Sequence, residues 1–198
     1  MRAGVFACVI LATIGLSAQD TYFPKGSLSD NERVDSMRAS WFTYQLKALE
    51  EPSLLEAGSN RSLESYRFVW LRTFHHPIAV RLEIMADGSG KLTTKIGSGS
   101  GGYKPGKLIE NTSHSVEREQ INKFLKQVRR VGFWNLPSSD ENTTMVGCDG
   151  SRWIIEGVKD AKYHVAQRWT PSKGPVHKLG TMLAMSLANL KVPKDELY

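Results

Sequence analysis

The fold is decided by residues 78–96, whose sequence is IAVRLEIMADGSGKLTTKI. Apolar residues alternate with other residues over positions 78–86 and again over positions 91–96, which is the period of β-strands that bury one face. Between them, residues 87–90 (Asp-Gly-Ser-Gly) supply what a tight turn needs. Because strands joined by a short turn pair antiparallel, this stretch predicts an antiparallel sheet.

The same pattern extends the sheet in both directions along the chain. Residues 67–74 place Phe68, Trp70 and Phe74 at positions of one parity and predict a strand before the hairpin. Turn-forming residues separate further alternating segments after it. The additional predicted strands are a short one at residues 107–110 and a second hairpin of residues 153–158 and 163–169.

Three segments show apolar residues at helical spacing. The first is followed by Pro52, which cannot continue a helix, and then by a polar linker at residues 58–62. We expect Ser115 to cap the second helix and Pro175 to open the third. The predicted helices are residues 29–50, 116–130 and 175–190.

This order of elements predicts an α+β fold. We expect an antiparallel sheet of about five or six strands covered by the two later helices, with an additional N-terminal helix packed less closely. Residues 19–62 form the N-terminal helix and linker, and residues 63–198 the α+β domain. The predicted core consists of apolar strand and helix residues: Phe68, Trp70, Val80, Leu82, Ile84, Phe124, Leu125, Val128, Ile155, Leu179 and Leu183.

Residues 1–18 have the layout of a secretory signal peptide. Arg2 supplies the positive charge, an apolar run follows, and small residues precede a cleavage site after Ala18. A membrane span needs about 20 apolar residues, and this apolar run is shorter. We therefore expect an exported protein, periplasmic or extracellular, without a transmembrane span after cleavage. Cleavage removes Cys8 and leaves Cys148 without an internal disulfide partner.

The charge balance limits the partners that the protein can have. The net charge of +6 comes from 26 basic and 20 acidic residues that are interspersed along the chain. This mild excess, together with export, excludes nucleic acid as a partner. Basic residues on the predicted helix at residues 116–130 make an anionic surface polymer a candidate partner, beside a protein of the cell envelope.

Residues 97–102 (Gly-Ser-Gly-Ser-Gly-Gly) match the spacing of a dinucleotide-binding fingerprint. That fingerprint needs a helix directly after the glycines, and residues 103–106 (Tyr-Lys-Pro-Gly) start none. We therefore predict a flexible surface loop and no cofactor. Tyr103, which would be exposed on the loop, is a candidate binding residue.

His75 and His76 stand at the end of a predicted strand, before Pro77. Adjacent strand residues point to opposite faces, so the pair could share a metal ion only if the turn already bends the chain. The sequence has no HExxH motif and no paired-cysteine motif. We expect no metal and treat both histidines as candidate binding residues.

The second hairpin carries the remaining candidate binding residues. With a two-residue turn at residues 160–161, residues whose numbers sum to 321 lie opposite each other. Trp153 then faces Arg168, with His164 on the same face of the sheet. We expect the Arg168 guanidinium to stack on the Trp153 ring. Asp149, at the start of this region, completes the set.

Several segments resemble a group of uncharacterised exported bacterial proteins, over residues 65–190. The resemblance implies bacterial origin and export, and it implies no activity, cofactor or catalytic residue. The segments that carry it are residues 66–82, 101–106, 133–137 and 149–171.

Two functional classes follow from these features. The first is a non-enzymatic binding or envelope-associated module, which uses the edge formed by the glycine-rich loop, the histidine pair and the second hairpin. The alternative is a small hydrolase in which His164 works with Glu156 or Asp149, near Ser151 or Cys148. The predicted register places His164 and Glu156 on opposite faces, and we assign no catalytic residue.

Overall fold

The computed structural model describes residues 22–59, 62–140 and 149–198. Its centre is a six-stranded antiparallel sheet, and the predicted α+β class is confirmed. The strands are β1 (Glu64–Arg72), β2 (Ile78–Ile84), β3 (Gly90–Gly97), β4 (Leu108–Val116), β5 (Ser151–Lys159) and β6 (Lys162–Trp169). They are arranged in the order β4-β3-β2-β1-β5-β6.

Helices cover the sheet on both faces. The α-helices are α1 (Glu32–Ala48), α2 (Leu54–Ala57), α3 (Arg118–Arg130) and α4 (Pro175–Thr181). Helix α4 continues into a π-helical segment, Met182–Leu187, and short 3-10 turns form at Phe133–Asn135 and Lys194–Glu196. No helix within the described ranges is long and apolar enough to cross a membrane.

One face of the sheet carries the larger core, beneath α3, α4 and the π-helical segment. Phe68 and Trp70 of β1 belong to one buried cluster with Phe124 of α3. The predicted core residues lie in this cluster, except that Ile84 and Leu125 are partly buried at its margin. The alternation of apolar residues therefore identified the buried face correctly.

The opposite face is covered by α1, α2 and the residues that precede them. Phe42 and Leu46 of α1 are fully buried in a second cluster that includes Val69 of β1 and Ile154 of β5. The additional N-terminal helix is thus present, and the sheet lies between two helical layers.

Helix α1 is held by polar as well as apolar side chains. The buried carboxylate of Asp35 accepts hydrogen bonds from the Gly26 and Leu28 N–H groups, each at 2.8 Å. Arg38 donates to the Leu28 carbonyl at 2.8 Å. These buried polar groups weaken the apolar periodicity of the helix, which is why the sequence predicted looser packing for it.

A buried ionic cluster joins this N-terminal layer to the sheet. Its members are Glu51, Arg67, Arg81, Lys95 and Glu156. Arg67 Nε donates to Glu156 Oε2 at 2.8 Å, and Arg67 Nη1 donates to Glu51 Oε2 at 3.2 Å. Glu51 also accepts from Arg81 Nε at 2.9 Å. Each charge in the cluster therefore meets an opposite charge away from water.

Burial and pairing act in opposite directions on the two central charges. Burial alone would lower the pKa of Arg67, but the carboxylates of Glu156 and Glu51 outweigh it and hold that pKa above its ordinary value. Burial raises the pKa of Glu156, although Arg67 and the Tyr163 hydroxyl, which donates at 2.9 Å, oppose the rise. The cluster is a structural contact between layers.

Strand β4 differs from its prediction. A strand of residues 107–110 was expected, whereas β4 continues to Val116, and α3 begins only at Arg118. Ser115 is therefore the penultimate residue of β4 and not a helix cap. No helix of the described ranges covers most of β4, so its side chains are exposed on both faces and show no alternation in the sequence.

The second hairpin has the predicted register. Trp153 lies opposite Arg168, and Gly157 lies opposite His164. Asp160 and Ala161 form the turn with φ of 52° and 61°, the left-handed conformation of tight hairpin turns.

Three predicted features lie outside the described residues: the signal peptide at residues 1–18, Cys148, and residues 60 and 61 of the linker.

Candidate functional site

A cleft of about 670 Å³ opens at the end of the sheet where β1 ends and β4 begins. Three segments form it: the turn between β1 and β2, the glycine-rich loop between β3 and β4, and the C-terminal residues. The residues that line this cleft are Phe74, His75, His76, Ser98, Gly99, Ser100, Tyr103, Lys104 and Glu196.

The turn between β1 and β2 places His76 against the glycine-rich loop. His76 Nδ1 donates to the Gly99 carbonyl at 2.9 Å. Because a carbonyl only accepts, the His76 ring carries a proton on Nδ1. Arg72 Nη2, at the end of β1, donates to the His76 carbonyl at 3.1 Å. The turn is thereby fixed to the strand and to the loop.

Hydrogen bonds anchor the glycine-rich loop, which was predicted to be flexible. The Gly101 N–H donates to the His75 carbonyl at 3.0 Å. From α1, Trp41 Nε1 and Gln45 Nε2 donate to the Gly101 carbonyl at 3.2 and 3.1 Å. Gln45 Nε2 also donates to the Tyr103 carbonyl at 3.0 Å. Helix α1 therefore holds one wall of the cleft in place.

Close contact between backbones explains the glycines of this loop. A Cβ atom on Gly101 would lie 2.5 Å from Leu71 Cα, and one on Gly99 would lie 2.0 Å from the Lys104 carbonyl oxygen. Side chains at these positions would collide with main-chain atoms that cannot move away. The glycine pattern thus reflects packing against β1 and within the loop.

The C-terminal residues form the wall of the cleft beside β1. Arg72 Nη1 and Glu196 Oε2 form a salt bridge at 2.6 Å. His75 Nδ1 lies 2.6 Å from Tyr198 Oη, and His75 Nε2 lies 3.8 Å from Glu196 Oε1. Burial lowers the pKa of Arg72, while the charges of Glu196 and Tyr198 oppose that shift. Arg72 and His75 thus hold the C-terminal residues against the turn.

Tyr198 also connects the cleft to the second hairpin. Its main-chain oxygen accepts hydrogen bonds from Trp70 Nε1 at 2.9 Å and Trp153 Nε1 at 3.2 Å. The Ser151 hydroxyl donates to the same oxygen. Tyr198 therefore links the turn after β1, through His75, to the start of β5, through Ser151 and Trp153.

Two aromatic rings are exposed at the mouth of the cleft. Phe74 is 58% exposed and Tyr103 is 62% exposed, and their ring centroids lie 6.3 Å apart. We call this pair the aromatic rim. Exposed aromatic side chains that lie together are a common feature of protein-binding surfaces.

Three of the seven predicted binding residues meet at the cleft, namely His75, His76 and Tyr103. Trp153 instead lies in the core, where its ring stacks on His177 with a centroid distance of 5.3 Å. Its indole reaches the C-terminal residues only through the Tyr198 bond.

The predicted stacking of Arg168 on Trp153 is wrong, although the register is right. Arg168 Nε forms a salt bridge with Asp140 Oδ1 at 2.6 Å, and Arg168 Nη2 donates to the Pro137 carbonyl at 3.0 Å. No cation–ring contact joins Arg168 to Trp153 among the residues described. A carboxylate and carbonyls bind a guanidinium more strongly than a ring does.

His164 lies away from the cleft, beside Phe133 and Trp134, with ring centroids 5.0 and 6.4 Å away. Burial lowers the pKa of His164, and Lys162 contributes in the same direction. Its Nε2 atom is buried and has no hydrogen-bond partner in the described part of the chain. A neutral imidazole suits this apolar site.

The groups of the alternative hydrolase do not meet around His164. Glu156 belongs to the ionic cluster on the opposite face of the sheet, as the register predicted. Ser151 bonds Tyr198 and Trp153, and Asp149 is exposed at the start of the hairpin region. Cys148 lies outside the described residues.

The described ranges hold no group of three or more His, Cys, Asp or Glu side chains that could bind a metal ion. No protein-family model and no curated protein matches the chain. The residues that line the cleft offer aromatic surface, imidazole nitrogens, hydroxyl groups, one ammonium group and one carboxylate.

The sequence analysis missed Phe74 as an exposed residue and the two C-terminal residues, Glu196 and Tyr198. Phe74 was expected to continue β1, but that strand ends at Arg72, so the alternation no longer applies to it. The bonds from Glu196 and Tyr198 to β1 and its turn span more than 120 positions. No local pattern could have indicated them.

Proposed function

We propose that the protein is an exported, non-enzymatic binding module whose cleft binds a protein of the cell envelope. The observation that carries this proposal is the aromatic rim, Phe74 and Tyr103, exposed on walls that hydrogen bonds hold in place. Walls that are already ordered lose little conformational entropy on binding, which favours affinity.

The polar groups of the cleft support binding better than catalysis. His75 bonds Tyr198 and lies near Glu196, while His76 bonds the Gly99 carbonyl. The Ser98 hydroxyl accepts from the Lys107 N–H at 3.0 Å. No hydrogen bond joins that serine to either histidine among the described residues, as activation of a nucleophile would require.

An anionic surface polymer is a second candidate partner. Lys104 lines the cleft, and Lys107 is exposed at the end of the same loop. Two exposed cations beside an aromatic rim could bind an acidic polymer, and that binding would weaken with added salt. Binding of a protein partner through the aromatic rim would depend far less on salt.

Alanine substitution of the aromatic rim tests the proposal. Wild-type protein, Tyr103→Ala, Phe74→Ala and the control Met85→Ala are immobilised and incubated with a solubilised envelope fraction at two salt concentrations. Met85 is also exposed but follows the opposite end of β2. We expect wild type and control to retain one protein that both rim variants lose. Equal retention by wild type and all three variants would contradict the proposal.

Export is tested separately by the mature N-terminus. We expect the protein recovered from the periplasm or medium to begin near Gln19, because the small residues at positions 17 and 18 precede it. An intact Met1 in a membrane fraction would contradict cleavage and favour an anchored protein.

A further inference from the structure

We propose that β4 pairs antiparallel with β4 of a second copy of this chain, joining two sheets into one. This proposal concerns the far edge of the sheet and is independent of the function proposed for the cleft. The occupant of the edge is a second copy, in a two-fold arrangement centred on Thr112.

Within the described residues, the chain contacts the β6 edge of the sheet and leaves the β4 edge unpaired. At the β6 edge, the Gln167 N–H donates to the Ser138 carbonyl at 2.8 Å, and Arg168 donates to the Pro137 carbonyl. A segment before β5 thus contacts that edge at Gln167 and Arg168. At the β4 edge, no part of the described chain pairs with the outer side of the strand.

Strand β4 is long and unprotected for an edge strand. It has nine residues, and Ile109–Ser115 are exposed. The strand contains no Pro, Lys or Arg, and its register irregularity opposite Ile96 and Gly97 lies at one end. Edge strands of monomeric proteins are usually guarded by such residues or by bulges in the middle of the strand. Their absence here favours pairing with another strand.

The sequence of β4 is complementary to itself in one register. With Thr112 opposite its own copy, residues whose numbers sum to 224 face each other, as in any two-fold antiparallel pair. Glu110 then lies opposite His114, and Leu108 lies opposite Val116. Acid faces base and apolar faces apolar, which are favourable cross-strand pairs. Val116 is already buried in the core of its own chain, so Glu110 and His114 are the exposed matching pair.

The neighbouring registers lack this complementarity. Centring on Asn111 places Glu110 opposite Thr112, and centring on Ser113 places it opposite Val116. His114 Nε2 donates to the Leu187 carbonyl at 3.1 Å, so a carboxylate of the second copy would meet Nδ1, which donates to it when the imidazole is protonated. These pairs select the Thr112-centred register.

Cysteine cross-linking tests both the surface and the register. Cys8 and Cys148 are replaced by serine in the full chain, and Thr112→Cys is compared with Ile109→Cys after treatment with a short bismaleimide. In the proposed register the two Thr112 positions are adjacent, while the two Ile109 positions are about 20 Å apart. We expect a covalent dimer from Thr112→Cys and little from Ile109→Cys. No dimer from Thr112→Cys, or equal yields from both, would overturn the proposal.

A charge placed on the two-fold axis gives an independent readout. Thr112→Lys brings two like charges opposite each other, whereas Ile109→Lys adds the same charge opposite Ser115. In sedimentation equilibrium we expect wild type and Ile109→Lys to be dimers, and Thr112→Lys to associate roughly fivefold more weakly with unchanged circular dichroism. A monomeric wild type, or a Thr112→Lys protein that associates as tightly as Ile109→Lys, would overturn the proposal.

Discussion

Replacing Arg67 with methionine tests how the buried ionic cluster holds the N-terminal layer on the sheet. The Arg67 side chain is fully buried and reaches Glu156 at 2.7 and 2.8 Å and Glu51 at 3.2 Å. After the substitution Glu51 keeps Arg81 and Lys95, but among the described residues Glu156 keeps only the Tyr163 hydroxyl. Removing one partner of a buried ion pair costs about 3–5 kcal/mol, because the other charge stays buried without compensation.

Urea unfolding at pH 7 and pH 5 measures this cost. At pH 7 we expect the free energy of unfolding to fall by about 3–5 kcal/mol relative to wild type. Burial already raises the pKa of Glu156, and losing Arg67 raises it further. The folded state then binds a proton that the unfolded state releases above about pH 4.3. The loss of stability should therefore be smaller at pH 5 than at pH 7.

A double variant provides the control for this experiment. Arg67→Met combined with Glu156→Leu removes both charges, so no uncompensated carboxylate remains between them. We expect it to recover most of the stability that Arg67→Met loses, because apolar pairs replace buried ion pairs at little net cost. A loss below about 1 kcal/mol for the single variant, or a double variant as unstable as the single one, would show that Arg67 does not compensate the buried Glu156 carboxylate.

Three further predictions concern the loop, His164 and Arg168. Gly101→Ala should lower the free energy of unfolding by about 1–3 kcal/mol, because the new Cβ meets Leu71 main-chain atoms, and a wild-type melting curve would contradict this. In an NMR titration His164 should show a pKa below about 6.5, because burial disfavours the charged imidazolium. The free energy of unfolding should therefore fall as the pH drops below about 6.5, since the unfolded state binds the proton more readily than the folded state. Arg168→Ala should cost about 1–2 kcal/mol by removing its bonds to Asp140 and the Pro137 carbonyl, and faster hydrogen exchange at Gln167 would accompany it.

The elements that the sequence predicted well are those whose signal is local. Alternation and turn residues identified the hairpin of β2 and β3, and the turn at residues 160–161 fixed the register of the second hairpin. The buried face followed from parity alone, since every second side chain points to one face. These features depend on neighbours within a few positions.

The features that the sequence did not predict depend on contacts between distant parts of the chain. The length of β4 was missed because its side chains are exposed on both faces, so apolar residues do not alternate along it. The wall that Glu196 and Tyr198 form depends on Arg72 and His75, far away in sequence. The stacking expected for Arg168 failed because Asp140 provides a stronger partner. Register alone could not reveal any of these contacts.

The most direct test of the proposed binding cleft is photo-cross-linking in living cells. A photoreactive phenylalanine derivative replaces Tyr103 in the full chain, which keeps an aromatic ring at the rim, and a matched variant carries it at Met85. We expect a light-dependent adduct with one envelope protein from position 103 and none from position 85. No adduct from position 103, or the same adduct from both positions, would contradict the claim that the cleft is the binding surface.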